Sequence, residues 1–328
     1  MDLSRLYASE IPDFLRDACE TDALRRLRDV GMNCGCEYTN FLRFRALAPY
    51  SRFDHSLGVA LIVWQHTHDK KQAMAGLLHD VATPVFAHVV DFLKGDYLAQ
   101  EATEAGTEAT IRASRELCAA LDKYGLTVDE VKDYHVYPIA DNDSPRLSAD
   151  RLEYSIGNMF NYGFADYRTI ETLYRDIAVG TNECGETELV FTHLERASAF
   201  ANLALKCGKV YVCDEDRYAM QRLSEALADA LKAGIITSDD LATTEPQVIA
   251  KLTADAETAE AWHAFRALHA TETADNAQGG AWRKIYAKKR YIDPFVAGRG
   301  RVSALDADFA AALDAFRTQS QDYWVRGY

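Results

Sequence analysis

Gly76-Leu77-Leu78-His79-Asp80-Val81-Ala82-Thr83-Pro84-Val85-Phe86-Ala87-His88 sets a histidine-aspartate doublet behind an apolar run and just ahead of a proline. Ala73, Leu77 and Val81 recur at helical spacing, and Pro84 closes the segment, so the doublet belongs near the end of a helix whose apolar face carries it inward. Outward from there, Ser51-Arg52-Phe53-Asp54-His55-Ser56-Leu57-Gly58-Val59 opens a second helical pattern through Leu57, Ile62 and Val63. Downstream, Pro138 and Pro145 bracket a loop from which Ser148-Ala149-Asp150-Arg151-Leu152-Glu153-Tyr154 starts a third helix. Helical spacing persists through most of residues 1–275, and the expected fold is mainly α. Residues 177–192 depart from it, with two short β-prone runs around Gly185 that read as a small hairpin. Long amphipathic helices are expected over 192–210, 215–234 and 257–270, and residues 274–280 end the pattern.

The chain has 328 residues, 48% hydrophobic and 26% charged, with 36 basic against 50 acidic residues and a net charge of −14. Such a field disfavours general nucleic-acid binding while leaving a small anionic substrate open. The first residues read as neither signal nor transit peptide, and no window holds the roughly 18 apolar residues of a membrane span. The seven cysteines are scattered, and Cys34 and Cys36 read as ordinary thiols, so a reducing, cytoplasmic setting with no membrane partner is expected. Residues 281–306 form a basic island in this acidic chain, with Arg283, Lys284, Lys288, Lys289, Arg290, Arg299 and Arg301 against two acids. A solvated strand pair, a subunit contact and an anion site all fit that composition.

Metal ligands must be neutral imidazoles or carboxylates aimed inward from rigid elements. His55, His79, Asp80 and Asp150 meet that description, each near a helix end and flanked by apolar residues. A buried His-Asp doublet without a compensating cation would be costly.

With these residues in hand, the chain resembles the HD-domain superfamily of metal-dependent phosphohydrolases. Arg52-Phe53-Asp54-His55-Ser56-Leu57-Gly58-Val59, the doublet segment through His88, and Ser148-Ala149-Asp150-Arg151-Leu152-Glu153-Tyr154 are similar to that family's three metal-binding segments, in the same order. The similarity is strongest over about residues 45–180, and it is nearest to the branch of deoxynucleoside triphosphohydrolases and their bacterial cousins. It implies an HD-type helical bundle over residues 1–200 and a helical extension with a basic, β-prone tail over 201–328. It also implies a divalent metal (manganese, iron, cobalt, nickel, zinc or magnesium) on His55, His79, Asp80 and Asp150, and homo-oligomers. By the same resemblance Arg52 and Arg151 contact phosphate, Tyr154 lies by the substrate, and Asp80 orients or deprotonates the attacking water.

Two departures bear on activity. Thr83 stands where the triphosphohydrolases carry a histidine, leaving His88 as the expected general acid, and Gln100-Glu101, with Glu104 and Glu108, replaces a His-Glu pair. The implied function is hydrolysis of a phosphate ester of a small metabolite or nucleotide. Two alternatives stand beside it: a nucleotide-binding or regulatory domain without turnover, and a di-iron oxygenase, which would need extra histidines such as His88 and His135. His66 and His68 fall on opposite sides of a helix, and His193, His263 and His269 have no acidic partner pattern, so these read as structural.

Overall fold

The structure is a computed structural model that describes residues 3–90, 106–277 and 279–328. Its centre is a pair of antiparallel helices, Arg52–Thr67 and Lys70–Leu78. Ser51 and Asp54 form a capping box that starts the first helix: the Asp54 N–H donates to Ser51 Oγ at 3.2 Å, and the Ser51 N–H to Asp54 Oδ2 at 3.0 Å. His68 ends that helix in the left-handed region at φ 52°, and Asp69 at once caps the next by accepting from the Lys71 N–H at 2.8 Å. The reversal between the helices is therefore short, and it holds His55 and His79 at the same end of the pair. The helix Ala149–Asn161, capped by Ser148, packs across the Arg52–Thr67 helix and brings Asp150 to that end.

Two apolar cores result. The first joins Val59, Leu77, Ile156 and Phe200 with C-terminal Ile292, Val296, Phe309 and Phe316. The second lies among the helices Asp214–Lys232, Glu245–Ala254 and Ala256–Ala267, with Phe41, Phe44 and Phe86 inserted from the N-terminal half. The chain thus returns to the first core after building the second, with Ile285 in the second core and Ile292 in the first.

The expected hairpin is present as Ile177–Thr181 and Thr187–Phe191, paired antiparallel. It is not isolated: Phe295–Val296 adds parallel to its second strand at Phe191↔Val296, and Gly300–Arg301 completes a four-stranded sheet. Trp324–Gly327 lies between Thr271–Ala274 and Arg283–Lys284 in a second, three-stranded sheet. All seven cysteines are free, and burial pushes the Cys34 thiol up to about 12, leaving it unreactive. Among the described residues no helix is long and apolar enough to cross a membrane.

Candidate metal centre

Three helix ends deliver the sequence-derived ligand set to one point. His55 Nε2 lies 3.2 Å from His79 Nε2 and 3.1 Å from Asp150 Oδ1. Asp80 Oδ2 lies 3.5 Å from His79 Nε2 and 3.9 Å from His55 Nε2. His55, His79 and Asp80 are buried, with potential donor atoms within 4.8 Å of one another.

The ring orientations are set from behind. His79 Nδ1 sits 2.8 Å from the Gly76 carbonyl oxygen, which can only accept, so Nδ1 carries the hydrogen and Nε2 keeps its lone pair. His55 Nδ1 sits 2.6 Å from Glu153 Oε2, with the same consequence when that ring is neutral. Two imidazole lone pairs then face each other across 3.2 Å, beside the carboxylates of Asp80 and Asp150. Such an array repels itself unless it encloses positive charge, either a proton or a cation. The protonation tendencies agree: burial works against a charged His55, but Asp150 and Glu153 outweigh it and push its pKa up to about 10. Burial likewise opposes the Asp80 carboxylate, but Arg52, His79 and His55 hold its pKa well below the usual range. Two imidazole nitrogens and two carboxylates are a donor set that fits a divalent cation.

A second layer fixes these groups. Glu153, one turn beyond Asp150, is buried and accepts from Tyr50 at 2.5 Å and Tyr7 at 3.3 Å as well as from His55. Gly58 leaves room for it, because a Cβ there would lie 2.6 Å from Glu153 Cγ. Asp80 accepts from Arg52 Nη1 at 2.9 Å and from Thr83 Oγ1 at 2.7 Å. Arg26 in turn donates to the carbonyls of Val81 and Thr83 at 3.0 and 2.8 Å, pinning the turn after the doublet. Thr83 therefore holds the aspartate at the position where the resembling enzymes carry a histidine.

The centre opens into a cavity of about 160 Å³ lined by Arg52, His88 and Tyr154, with Tyr134, Tyr162 and Tyr211 as aromatic walls. His88 reaches it from a turn in which Phe86 and Ala87 both take left-handed backbone angles, φ 57° and 46°. Arg151 is placed elsewhere. It donates through Nε to the Arg146 carbonyl at 2.6 Å and through Nη2 to Asn142, its Nη1 forms an ion pair with Asp141 at 2.9 Å, and it is not among the residues lining the cavity.

His135 is exposed and pairs with Asp133 at 3.0 Å, outside the cavity, so of the histidines a di-iron site would draw on only His88 lines it. His66 and His68 lie near the far end of their helix, where burial lowers the His66 pKa to about 4. His193 pairs with Asp176 at 2.6 Å, and His263 and His269 are exposed away from the cavity. Gln100, Glu101 and Glu104 lie outside the described residues, while Glu108 pairs on the surface with Arg112 at 2.8 Å and Lys132 at 3.0 Å.

Sequence reasoning missed Glu153, and it reached the cavity residues Lys288 and Arg290 only as members of a basic island that fits an anion site among other roles. For Glu153 a signal existed: it is three residues after Asp150, on the same helix face. Nothing local ties Lys288 and Arg290 to the doublet.

No protein-family model matches the chain. It is 27% identical over 201 residues to the uncharacterized protein YdhJ of Bacillus subtilis, covering 61% of this chain and 60% of that protein. It is 26% identical over 166 residues to the metal-dependent phosphohydrolase cns2 of Cordyceps militaris, covering 48% of this chain and 44% of that protein. The chain thus spans less than two thirds of either relative. The buried His55-His79-Asp80 group is one that could hold a metal ion.

Proposed function

We propose that the chain is a metal-dependent phosphohydrolase that cleaves a phosphate ester of a small metabolite or nucleotide. One observation carries the reading: the Nε2 atoms of His55 and His79 converge with the carboxylates of Asp80 and Asp150, both rings being oriented by partners behind them. A divalent ion held by those four residues would polarise a phosphoryl oxygen and lower the pKa of a coordinated water.

The remaining work falls to side chains. Thr83 and Arg52 fix the two oxygens of Asp80, so the carboxylate cannot rotate away from the centre. Arg52 Nε is buried with no hydrogen-bond partner among the described residues, a donor suited to a substrate oxygen at the cavity floor. His88 has the ring chemistry to protonate a leaving oxygen. Tyr154, one turn from Asp150, lines the cavity where the organic part of the ester would lie. Arg151 acts behind the site, clamping Asp141 and Asn142 to the start of the Asp150 helix.

A second reading, nucleotide binding without turnover, draws on Thr83 in place of an acid-base histidine. The test is a screen of the purified chain with manganese, iron, cobalt, nickel, zinc or magnesium against nucleotides, phosphomonoesters and a chromogenic diester. Phosphate release by the wild type, reduced at least about 100-fold in Asp80→Ala at unchanged helical content, is expected. Wild-type turnover in Asp80→Ala would sink the proposal, and nucleotide binding with no turnover under any metal would favour the second reading.

A further inference from the structure

The basic island of residues 281–306 divides by side. Arg283 bonds Glu225 at 2.5 Å, Lys284 pairs with Asp322 at 2.6 Å, and Arg301 grips buried Glu188 through two bonds of 2.7 and 2.8 Å. Arg283 ties a strand to a helix, Arg301 joins two strands, and Lys284 holds the segment leading into Trp324–Gly327. Lys289 is half-buried and not among the cavity-lining residues, its Nζ donating to the carbonyls of Arg317 at 2.7 Å and Gln319 at 2.5 Å. Its neighbours Lys288 and Arg290 line the same cavity as His55, His79, Asp80 and Asp150. Alternation of this kind is what an irregular, extended segment imposes on successive side chains.

The segment is also anchored on both sides of the pair. The Ala287 N–H donates to Gln321 Oε1 at 2.8 Å, and the Asp293 N–H donates to the Pro145 carbonyl at 2.9 Å. Gly208 leaves the space that the Arg290 carbonyl occupies. Burial pushes the Tyr154 hydroxyl up to about 12 while Arg290 pulls against that shift, which places the guanidinium within electrostatic reach of a cavity wall.

We propose that Lys288 and Arg290 form the anion-recognition wall of this cavity and select a phosphate monoester over a diester. This deepens, and rests on, the phosphohydrolase reading. A monoester phosphate carries about 1.5–2 negative charges at neutral pH, whereas a diester carries one, so two added cations favour the monoester. Arginine supplies a planar fork for two phosphate oxygens and lysine a mobile point charge at the mouth.

The experiment uses the full chain and two measurements. Binding of inorganic phosphate is followed by calorimetry, and hydrolysis of p-nitrophenyl phosphate and bis(p-nitrophenyl) phosphate is followed with the metal that supports turnover. Lys288→Gln and Arg290→Gln are each expected to weaken phosphate binding by about tenfold. Each should raise KM for the monoester by a similar factor, with a smaller change in kcat and in the diester KM, and Arg290→Lys should recover part of the loss. Lys289→Gln, which removes an equal charge from outside the cavity lining, is the control and should leave the phosphate Kd within about twofold of the wild type. Because Lys288 is exposed, its substitution is tolerated by the fold and keeps the test decisive if Arg290→Gln misfolds. An unchanged phosphate Kd in the Lys288→Gln chain, or an equal loss in Lys289→Gln, overturns the proposal. Phosphate binding that depends on Lys288 and Arg290 but is accompanied by no ester hydrolysis would uphold the anion wall and refute the hydrolase reading.

Discussion

Replacing Glu153 by glutamine tests whether the centre is built to present a lone pair at His55 Nε2. The carboxylate takes three donors at once: His55 Nδ1 at 2.6 Å, Tyr50 at 2.5 Å and Tyr7 at 3.3 Å. Glutamine matches the volume but offers one acceptor oxygen and one NH2 group. If its NH2 meets His55, the ring must accept at Nδ1 and carry its hydrogen on Nε2, aimed at Asp150 and His79, where the ligating lone pair belongs. If instead its oxygen meets His55, it still accepts from Tyr50, which shares that oxygen, but the Tyr7 hydroxyl confronts a donor and all three groups lose a charged acceptor. A hydrogen bond to a charged group contributes about 1.5–3 kcal/mol, and loss of such an outer partner typically lowers metal affinity about 10- to 100-fold. Glu153→Gln should therefore bind manganese or zinc about 10- to 100-fold more weakly by calorimetric titration. Thermal melts in chelator would report the folding cost separately. A metal Kd within about twofold of the wild type, with native circular dichroism, would refute the tautomer argument. Glu153→Ala is less informative, because it orphans three buried donors and threatens the fold itself.

Gly58→Ala should be destabilising by about 1–3 kcal/mol in urea melts, against the usual gain for that exchange in a helix, since the new methyl would collide with Glu153; a more stable variant would contradict the packing. Thr83→Val removes the 2.7 Å bond to Asp80 and should lower turnover about tenfold, with Thr83→Ser restoring most of it; equal loss in both would show that shape rather than the hydroxyl matters. Saturating the chain at about 100-fold over Kd with its metal should add about 2.7 kcal/mol and raise Tm by about 4 °C, reversed by chelator. No Tm response to any of the candidate divalent ions would count against the centre. Burial and neighbouring Glu245 push the Glu37 carboxyl up to about 8, so the folded chain holds a proton that the unfolded chain releases near pH 4.5. Stability should consequently fall as pH rises from about 4.5 to 8, by a few kcal/mol, and Glu37→Gln should flatten that decline. A steeper decline in the variant would reverse the sign and refute the assignment.

The helices, and the convergence of His55, His79, Asp80 and Asp150, were legible because both are written locally. Ser51 and Asp54 cap one helix and Pro84 closes the doublet segment, while the short reversal at His68-Asp69 leaves two histidines few ways to lie except at one end of a helix pair. The hairpin was legible for the same reason, its turn residues lying between its strands. Its extension into a four-stranded sheet was not, because the pairing Phe191↔Val296 depends on how a distant segment returns. Lys288 and Arg290 were hidden by the same distance. Composition marked the island as basic, yet only tertiary placement separates the cations that staple strands from the two that face the cavity.

Arg151 is not among the residues lining the cavity that its neighbour Asp150 lines, and helical geometry accounts for the difference. One residue along an α-helix turns the side chain by roughly 100°, whereas three or four residues bring it back to the same side. With Asp150 facing the centre, its immediate successor leaves the helix about a quarter turn aside, and Arg151 reaches the loop carbonyls and Asp141. The residues that share the direction of Asp150 are Glu153 and Tyr154: one closes on His55 behind the ring, and the other lines the cavity in front of it. Helical period alone, applied to Asp150-Arg151-Leu152-Glu153-Tyr154, separates the positions that build the centre from those that brace it. Under the proposed anion wall, the charge for an anion would come from the remote segment of Lys288 and Arg290, which line the cavity, rather than from Arg151.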